Sequence, residues 1–392
     1  MYKTLLAVFF ITLTHILQAQ QKRNNFSNWF EKIHIGGYMQ VRYNGLLETN
    51  TDLSCEQCDE NWGKDNNGMS FRRIRFKIKG QISPQIFFYF QPDFAKSIGE
   101  NHHVGRLKDA YIDVGLDKKN EFRIRIGQSK VPYGFENMQS SSNRLPLDRD
   151  DALNSAVKDE RDLGVFFYWA TKEKRELIKN LRKSGLSGGD FGLFAFGFYN
   201  GQTANHFDEN NEFHLVSRFS YPIELKNQVI ELGIQAYSGK YVVTNHSQDI
   251  NTNTKGYRDQ RMALSFLLYP QPFGIQMEYN FGEGPEFNKT TNSILVKPLQ
   301  GGYATFSYYT EKWNQQFYPF VRVQYYKGGK KHELDARSYT VKDAEIGIEW
   351  HPMPHFEFLA EYTFSDRRYE DFENPINHQN GGLMRIQAQL KF

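Results

Sequence analysis

From Met384 to Phe392 apolar and polar residues alternate without a break. Met384, Ile386, Ala388, Leu390 and Phe392 fall on one face; Arg385, Gln387, Gln389 and Lys391 fall on the other. Period two is the pattern of a strand whose two faces meet different surroundings. Carried along the chain, the same reading predicts about sixteen strands. They lie near residues 32–44, 69–80, 84–95, 107–116, 121–130, 161–170, 189–199, 211–221, 229–239, 260–269, 273–282, 301–310, 317–327, 340–351, 355–364 and 382–392. Some alternate cleanly. In FRIRIG (122–127), Phe122, Ile124 and Ile126 oppose Arg123 and Arg125. In HFEFLAEYTF (355–364), Phe356, Phe358, Ala360, Tyr362 and Phe364 oppose Glu357 and Glu361. The strands near 189–199 and 301–310 are apolar or glycine-rich on both faces, so the pattern does not orient them.

The connections between these strands alternate in length. Segments 82–84 and 117–120 are short, 45–68 and 131–160 long; YPQPF (269–273) and HPMPH (351–355) are tight turns, while 283–298 and 365–381 are longer and polar. Such a rhythm predicts a transmembrane antiparallel β-barrel with short periplasmic turns and long extracellular loops, both chain ends being periplasmic. One connection breaks it. KEKRELIKNLRKSGLSGG (171–188) falls where a short turn is due and reads as a basic, solvated, partly helical extension. The first nineteen residues, MYKTLLAVFFITLTHILQA, combine a lysine, an apolar stretch and a small Ala19, as a cleaved secretory signal does. The expected organisation is a signal over 1–19, a periplasmic lead over 20–31 and one all-β barrel domain over 32–392, located in the bacterial outer membrane. A soluble β-sandwich also has short alternating strands, but it requires neither the signal, nor the terminal Phe, nor the loop rhythm.

Composition supports the barrel. Mean hydropathy is −0.65, and nothing after the signal approaches the ~18 apolar residues of a membrane helix. Yet the chain holds 33 Phe and 23 Tyr. A barrel accommodates both facts, since only alternate residues meet lipid and aromatics form its interfacial girdles; Trp29, Trp313 and Trp350 are read as such anchors. With 48 basic and 45 acidic residues the net charge of +3 implies no nucleic-acid partner. The positions of the charges are more informative. In FRRIRFKIKG (71–80), Ile74, Phe76 and Ile78 take the lipid face, which turns Arg73, Arg75, Lys77 and Lys79 into the lumen; Arg123 and Arg125 form a second row. Lumenal Lys and Arg favour anions, and a unit charge ~5 Å from an anion contributes about 0.8 kcal/mol even at the dielectric of water. Opposing this, Glu345, Glu349, Glu357, Glu361, Asp109, Asp113 and Glu278 fall on polar faces too. They either pair with the basic rows or form a separate acidic wall.

Residues 71–170 resemble the phosphate-selective porin O and P family. The resemblance is carried by FRRIRFKIKG, LKDAYIDV (107–114), RIGQSKVPYGFENM (125–138) and RDLGVFF (161–167). Gly127, Gln128, Lys130, Pro132 and Gly134 match its Gly-Gln-x-Lys-x-Pro-x-Gly element, and Arg161, Asp162 and Gly164 its Arg-Asp-x-Gly element. The resemblance implies a sixteen-stranded, commonly trimeric barrel with an anion-binding constriction formed by an inward-folded third loop. That loop would be 131–160, with Lys130 at its base and Arg144, Arg149 and Arg161 as constriction candidates. The segment also carries Asp148, Asp150, Asp151, Asp159 and Glu160, an acidic load that departs from a purely cationic constriction.

Other signals are weaker. Cys55 and Cys58 form a lone C-x-x-C in the first long loop; zinc would need four ligands, so a disulfide staple is the reading for an exported loop. Asp59, Asp65, Asn66 and Asn67 lack the spacing of a calcium loop, and His102 and His103 read as a solvated pair. No cofactor or metal is implied, and no Walker, HExxH or GxSxG motif is present. The expected function is a passive channel for small anionic solutes, phosphate or similar, held in outer-membrane lipid. A weakly selective general porin is the alternative, and a barrel for adhesion or catalysis is the alternative of another class.

Overall fold

The computed structural model of the chain describes residues 32–47, 67–98, 101–183 and 189–392. Their strands are β1 (Ile33–Leu47), β2 (Asn67–Ser83), β3 (Ile86–Ile98), β4 (Asn101–Gly115), β5 (Phe122–Lys130), β6 (Arg161–Trp169), β7 (Phe194–Tyr199) and β8 (His214–Glu224). They continue as β9 (Val229–Tyr241), β10 (Tyr257–Leu268), β11 (Phe273–Asn288), β12 (Ser293–Tyr308), β13 (Gln315–Gly329), β14 (Ser338–Met353), β15 (Phe356–Glu370) and β16 (Asn377–Lys391). Thr310–Lys312 prolongs β12 along β13, which makes a sixteen-stranded sheet in which each strand pairs antiparallel with its sequence neighbours. Strand β1 pairs with β2 on one side and with β16 on the other. Closure leaves no row of unpaired backbone groups, the condition for a sheet to sit in hydrocarbon.

The seam is completed by the terminal aromatic. Phe392 N–H donates to the Gly37 carbonyl at 3.1 Å, and Gly37 N–H donates to the Phe392 carbonyl at 2.8 Å. A Cβ on Gly37 would lie 2.3 Å from the Arg75 carbonyl oxygen and 2.6 Å from the Phe392 ring, so the close approach requires glycine. Around the barrel apolar side chains point outward. Ile112, Ile126, Leu264, Val321, Val323, Ile346 and Ile348 are exposed, while Asp113, Arg125, Ser265, Arg322, Gln324, Glu345 and Glu349 beside them are buried. Three-dimensional pairing also orients the two strands that pattern leaves ambiguous. Phe194, Phe196 and Phe198 face out and Ala195 and Tyr199 in on β7; Phe306 and Tyr308 face out and Tyr303 and Thr305 in on β12.

All sixteen expected strands are present, and the differences concentrate at the long-loop end. Segments 283–298 and 365–381, expected as polar loops, are largely strand: β11 runs to Asn288 and β12 starts at Ser293, while β15 runs to Glu370 and β16 starts at Asn377. The backbone ladder continues there after the regular alternation has ended, and Phe287 and Ile294 are buried in an apolar cluster with Tyr241, Val243, Ile250 and Ala336. His102 and His103 accordingly lie on β4 rather than in a loop. Cys55, Cys58, the signal and the lead lie outside the described residues.

Segment 171–188 needs a correction. Instead of a solvated extension, Lys172–Lys183 forms helix α3, numbered after two short helices in the third loop. Leu177, Ile178 and Leu181 share one helical face. Ile178 and Leu181 are buried, and Leu177 and Leu181 pack with Phe135, Val229, Leu267 and Tyr269 at the short-turn end. The exposed face keeps Lys172, Glu173, Glu176 and Lys179.

The lumen is partly filled. Residues 131–160 pass through it, carrying α1 (Phe135–Met138), α2 (Asp151–Asn154) and a 3-10 turn (Lys158–Glu160). Tyr133, Met138, Ala152, Leu153 and Val157 form an apolar core with inward residues of the β6–β15 wall, among them Phe166, Tyr199, Tyr237 and Tyr303. Gly301 makes room for it, since a Cβ there would stand 3.1 Å from Ala152 Cβ. The opposite edge of the segment is polar and faces the open space.

Candidate functional site

Alternation on β2 turns Arg73 and Arg75 inward, both buried, with half-buried Lys77 and Lys79 continuing the same face. Arg73 and Arg75 border a chamber of about 810 Å³ toward the long-loop end. Its lining has nine Lys/Arg (Arg72, Arg73, Arg75, Lys96, Lys108, Arg144, Arg149, Lys158, Lys330) against five carboxylates (Asp93, Asp148, Asp159, Glu160, Glu333). His332 adds no charge at neutral pH, because burial, then Lys331 and Lys158, push its imidazole well below the usual value. A second chamber, of about 680 Å³, opens toward the short-turn end and is bordered by Glu349, Glu357, His351 and Lys391. A smaller space, the neck, is lined by Ser141, Ser142, Arg144, Leu359, Gln387 and Gln389 together with Glu349 and Glu357, and shares lining residues with both chambers. Arg144 borders both the outer chamber and the neck, while Ser142, Glu349 and Glu357 border both the neck and the inner chamber.

The third loop holds this neck by bonds to opposite walls. Glu278 on β11 accepts from Phe135 N–H (2.6 Å) and Glu136 N–H (2.9 Å). Glu361 on β15 accepts from Leu147 N–H (2.9 Å), and Gln40 on β1 donates to the Ser141 carbonyl (3.1 Å). Arg322 on β13 joins Glu136 (3.0 Å) to Glu345 (2.6 Å). At the centre, Asp148 is shared by Arg42 (3.0 Å), Arg72 (3.2 Å) and Arg385. Burial alone would raise the Asp148 carboxyl, but Arg42, Arg385, Arg72 and Arg144 outweigh it and hold it well below the usual carboxylate range.

Of the sequence-selected cations, most are paired. Arg75 binds Asp93 (2.6 Å) and the Tyr38 hydroxyl (2.8 Å). Arg125 grips Asp113 with two bonds (2.7 and 2.9 Å) and lies 3.8 Å from the Tyr111 ring centroid. Arg123 binds Asp190 (2.7 Å); Arg161 binds Asp109 (2.9 Å) and Glu160 (2.8 Å). Arg149 binds Glu160 (2.7 Å). Lys130 donates to the carbonyls of Asn137, Met138 and Gln139 at 3.0, 3.0 and 2.6 Å, so it caps the end of α1. Lys77 stands 4.8 Å from the Tyr38 ring centroid.

Two differ. Arg73 donates to the Gln40 side-chain oxygen (2.8 Å), and Arg144 to the carbonyls of Pro146 (2.9 Å) and Leu147 (2.5 Å). Neither makes a salt bridge to a described residue. Arg73 Nε and Arg144 Nη1 are buried without an acceptor, as Arg123 Nε and Arg161 Nε also are; what sets the two apart is the absence of a salt bridge among the described residues. Burial, then Arg149, push the Arg144 guanidinium down to about 10, still charged at neutral pH.

The strand pattern does not single out Arg42, Arg72, Arg322 and Asp148. Arg385 is legible in it only as one polar residue of the last strand. What links them is the path of the third loop, which leaves no periodic trace.

No curated protein matches the chain. In architecture it is similar to the outer-membrane channel DcaP of Acinetobacter baumannii (TM-score 0.56, 10% identity, 92% of this chain and 97% of that one). It is similar also to OmpF of Salmonella typhi, solved with daunomycin (TM-score 0.56, 13% identity, the same coverages). A loop L8 deletion mutant of OmpT from Vibrio cholerae shares the fold (TM-score 0.53, 10% identity, 92% and 99% covered). The sequence profile described as phosphate-selective porin O and P matches residues 50–392. Together with a closed sixteen-stranded barrel whose lumen holds two chambers, that match places the chain in the phosphate-selective porin O and P family, as a channel of the bacterial outer membrane.

Proposed function

We propose that this channel passes small anions in preference to cations, and that Arg73 and Arg144 are its selecting residues. The carrying observation is their lack of a carboxylate partner, among the described residues, at the entrance to the neck. The nearby Asp148 is already divided among three other arginines. Orphaned N–H donors on buried guanidinium groups favour an acceptor that brings negative charge, and a small oxyanion such as phosphate supplies one by charge-assisted hydrogen bonds. A pair of such cations, rather than a full ring, keeps the hold weak enough for release. Membership of the family and the resemblance of 71–170 support phosphate as the first solute to test and a homotrimer as the assembly.

A second reading is a weakly selective porin for other small nutrients. It is favoured by the pairing of Arg75, Arg123, Arg125 and Arg161 with carboxylates, which removes most of the expected basic rows from the field. Planar-bilayer recording separates the two. Anion preference requires an anion-selective reversal potential across a KCl gradient and block of chloride current by added phosphate. A potential near zero with no block establishes the general porin.

A further inference from the structure

The inner chamber carries a group of side chains that the conduction of anions does not use. Glu349 and His351 lie two residues apart on β14 and so share its lumenal face; Glu357 enters the same space from β15 across the tight turn 354–355. His351 Nε2 lies 2.6 Å from Glu349 Oε1, and His351 Nδ1 lies 3.9 Å from Glu357 Oε1. One donor atom from each residue falls within 4.8 Å of the other two. Trp350 pairs with Phe358, so the regular register carried one step further sets His351 across from Glu357, just before the ladder shifts at Met353. Gln389 donates to Glu357, which orients the carboxylate from the next strand. Lys391 places its ammonium on Glu357 Oε1, the oxygen nearest His351, while Gln389 bonds Oε2, so a tethered cation already occupies one donor of the group.

We propose that Glu349, His351 and Glu357 form a binding site for a divalent transition-metal cation, Zn²⁺ being the test ion, at the periplasmic mouth of the pore. One imidazole nitrogen and two carboxylates are the donor set zinc accepts at three-ligand sites, with water in the fourth position. The imidazole separates this site from a purely acidic cluster, which would take hard cations such as Ca²⁺ equally well. Two carboxylates balance the charge of the ion. Lys391, partly exposed on the penultimate residue, is released to solvent as the metal enters, which makes it a built-in competitor. Because Glu349 and Glu357 also border the neck, their neutralisation makes the neck more positive.

The test is calorimetric titration of the full-length protein in detergent with Zn²⁺, with Ca²⁺ as control. Expected is one zinc per chain, affinity weakened at least about tenfold in H351Q and in E357Q, and affinity tightened in K391Q. Opposite effects of H351Q and K391Q cannot both come from a folding defect. Zinc added to the periplasmic side of a bilayer is expected to shift the reversal potential toward anions, reversibly with EDTA. Absence of zinc binding, equal binding of Ca²⁺, or unchanged affinity in H351Q overturns the site. Calorimetry does not read conduction, so a failure of zinc binding and a failure of the anion preference proposed above are told apart.

Discussion

Arg73 and Arg75 alternate with apolar residues on β2 as Arg123 and Arg125 do on β5, and both pairs are buried inside the barrel. On β5 the register sets Arg125 directly across from Asp113, and the two make a bidentate pair; Arg123 meets Asp190 just before β7. On β2 the register does the same for Arg75 and Asp93, but Arg73 finds only the neutral Gln40. The third loop then adds Arg144 and an Asp148 already claimed by others. Rows with the same sequence signature therefore carry different electrostatic weight. One is part of the wall's bonding, and the other leaves positive charge facing the permeation path.

The largest expected effect comes from breaking the centre of the uncompensated side. Asp148→Asn leaves Arg42, Arg72 and Arg385 crowded without a counter-charge, and removal of one partner from a buried ionic group costs about 3–5 kcal/mol. Urea unfolding in detergent, followed by the heat-induced mobility shift, should show a clear loss of stability. Arg73→Gln combined with Arg144→Gln should lower the chloride-to-potassium permeability ratio by roughly tenfold, which corresponds to about 1.4 kcal/mol, with the barrel still folded. An unchanged ratio would remove these residues as the filter. Asp113→Asn should leave Arg125 on β5 uncompensated, Arg123 keeping Asp190, and raise the same ratio several-fold. The smallest effect belongs to Asp113→Asn with Arg125→Gln. Removing both charges should return selectivity to near the unsubstituted value, and the unsubstituted protein, Asp113→Asn, Arg125→Gln and the double variant together form a cycle that isolates the pair. A double variant as anion-selective as Asp113→Asn alone would mean that Arg125 is not what Asp113 compensates.

Much of this architecture is legible in the sequence. Alternation locates all sixteen strands and turns Arg73, Arg75, Arg123 and Arg125 inward. It fails where its physical basis ends. In GEGPEFN and VKPLQ the regular alternation lapses, and β11 and β12 are continued by the backbone ladder and by burial of Phe287 and Leu299 under residues distant in the chain. Leu177, Ile178 and Leu181 have the spacing of an amphipathic helix, but its burial against Phe135 and Leu267 depends on a loop arriving from forty residues earlier in the chain. Lys130 and Arg149 read as constriction cations and are instead anchors of the loop, because carbonyl and carboxylate acceptors converge on them only after the segment folds inward.

The sequence by itself determined that this protein is a closed barrel and, on all strands but β7 and β12, which residues face its interior, because lipid imposes a period of two that each strand must obey on its own. Only the tertiary structure decided which interior charges are cancelled, where the neck forms and that Glu349, His351 and Glu357 meet. Those outcomes depend on register across the sheet and on the course of the third loop, and Coulomb energy depends on distances between residues far apart in the chain, which no local pattern encodes.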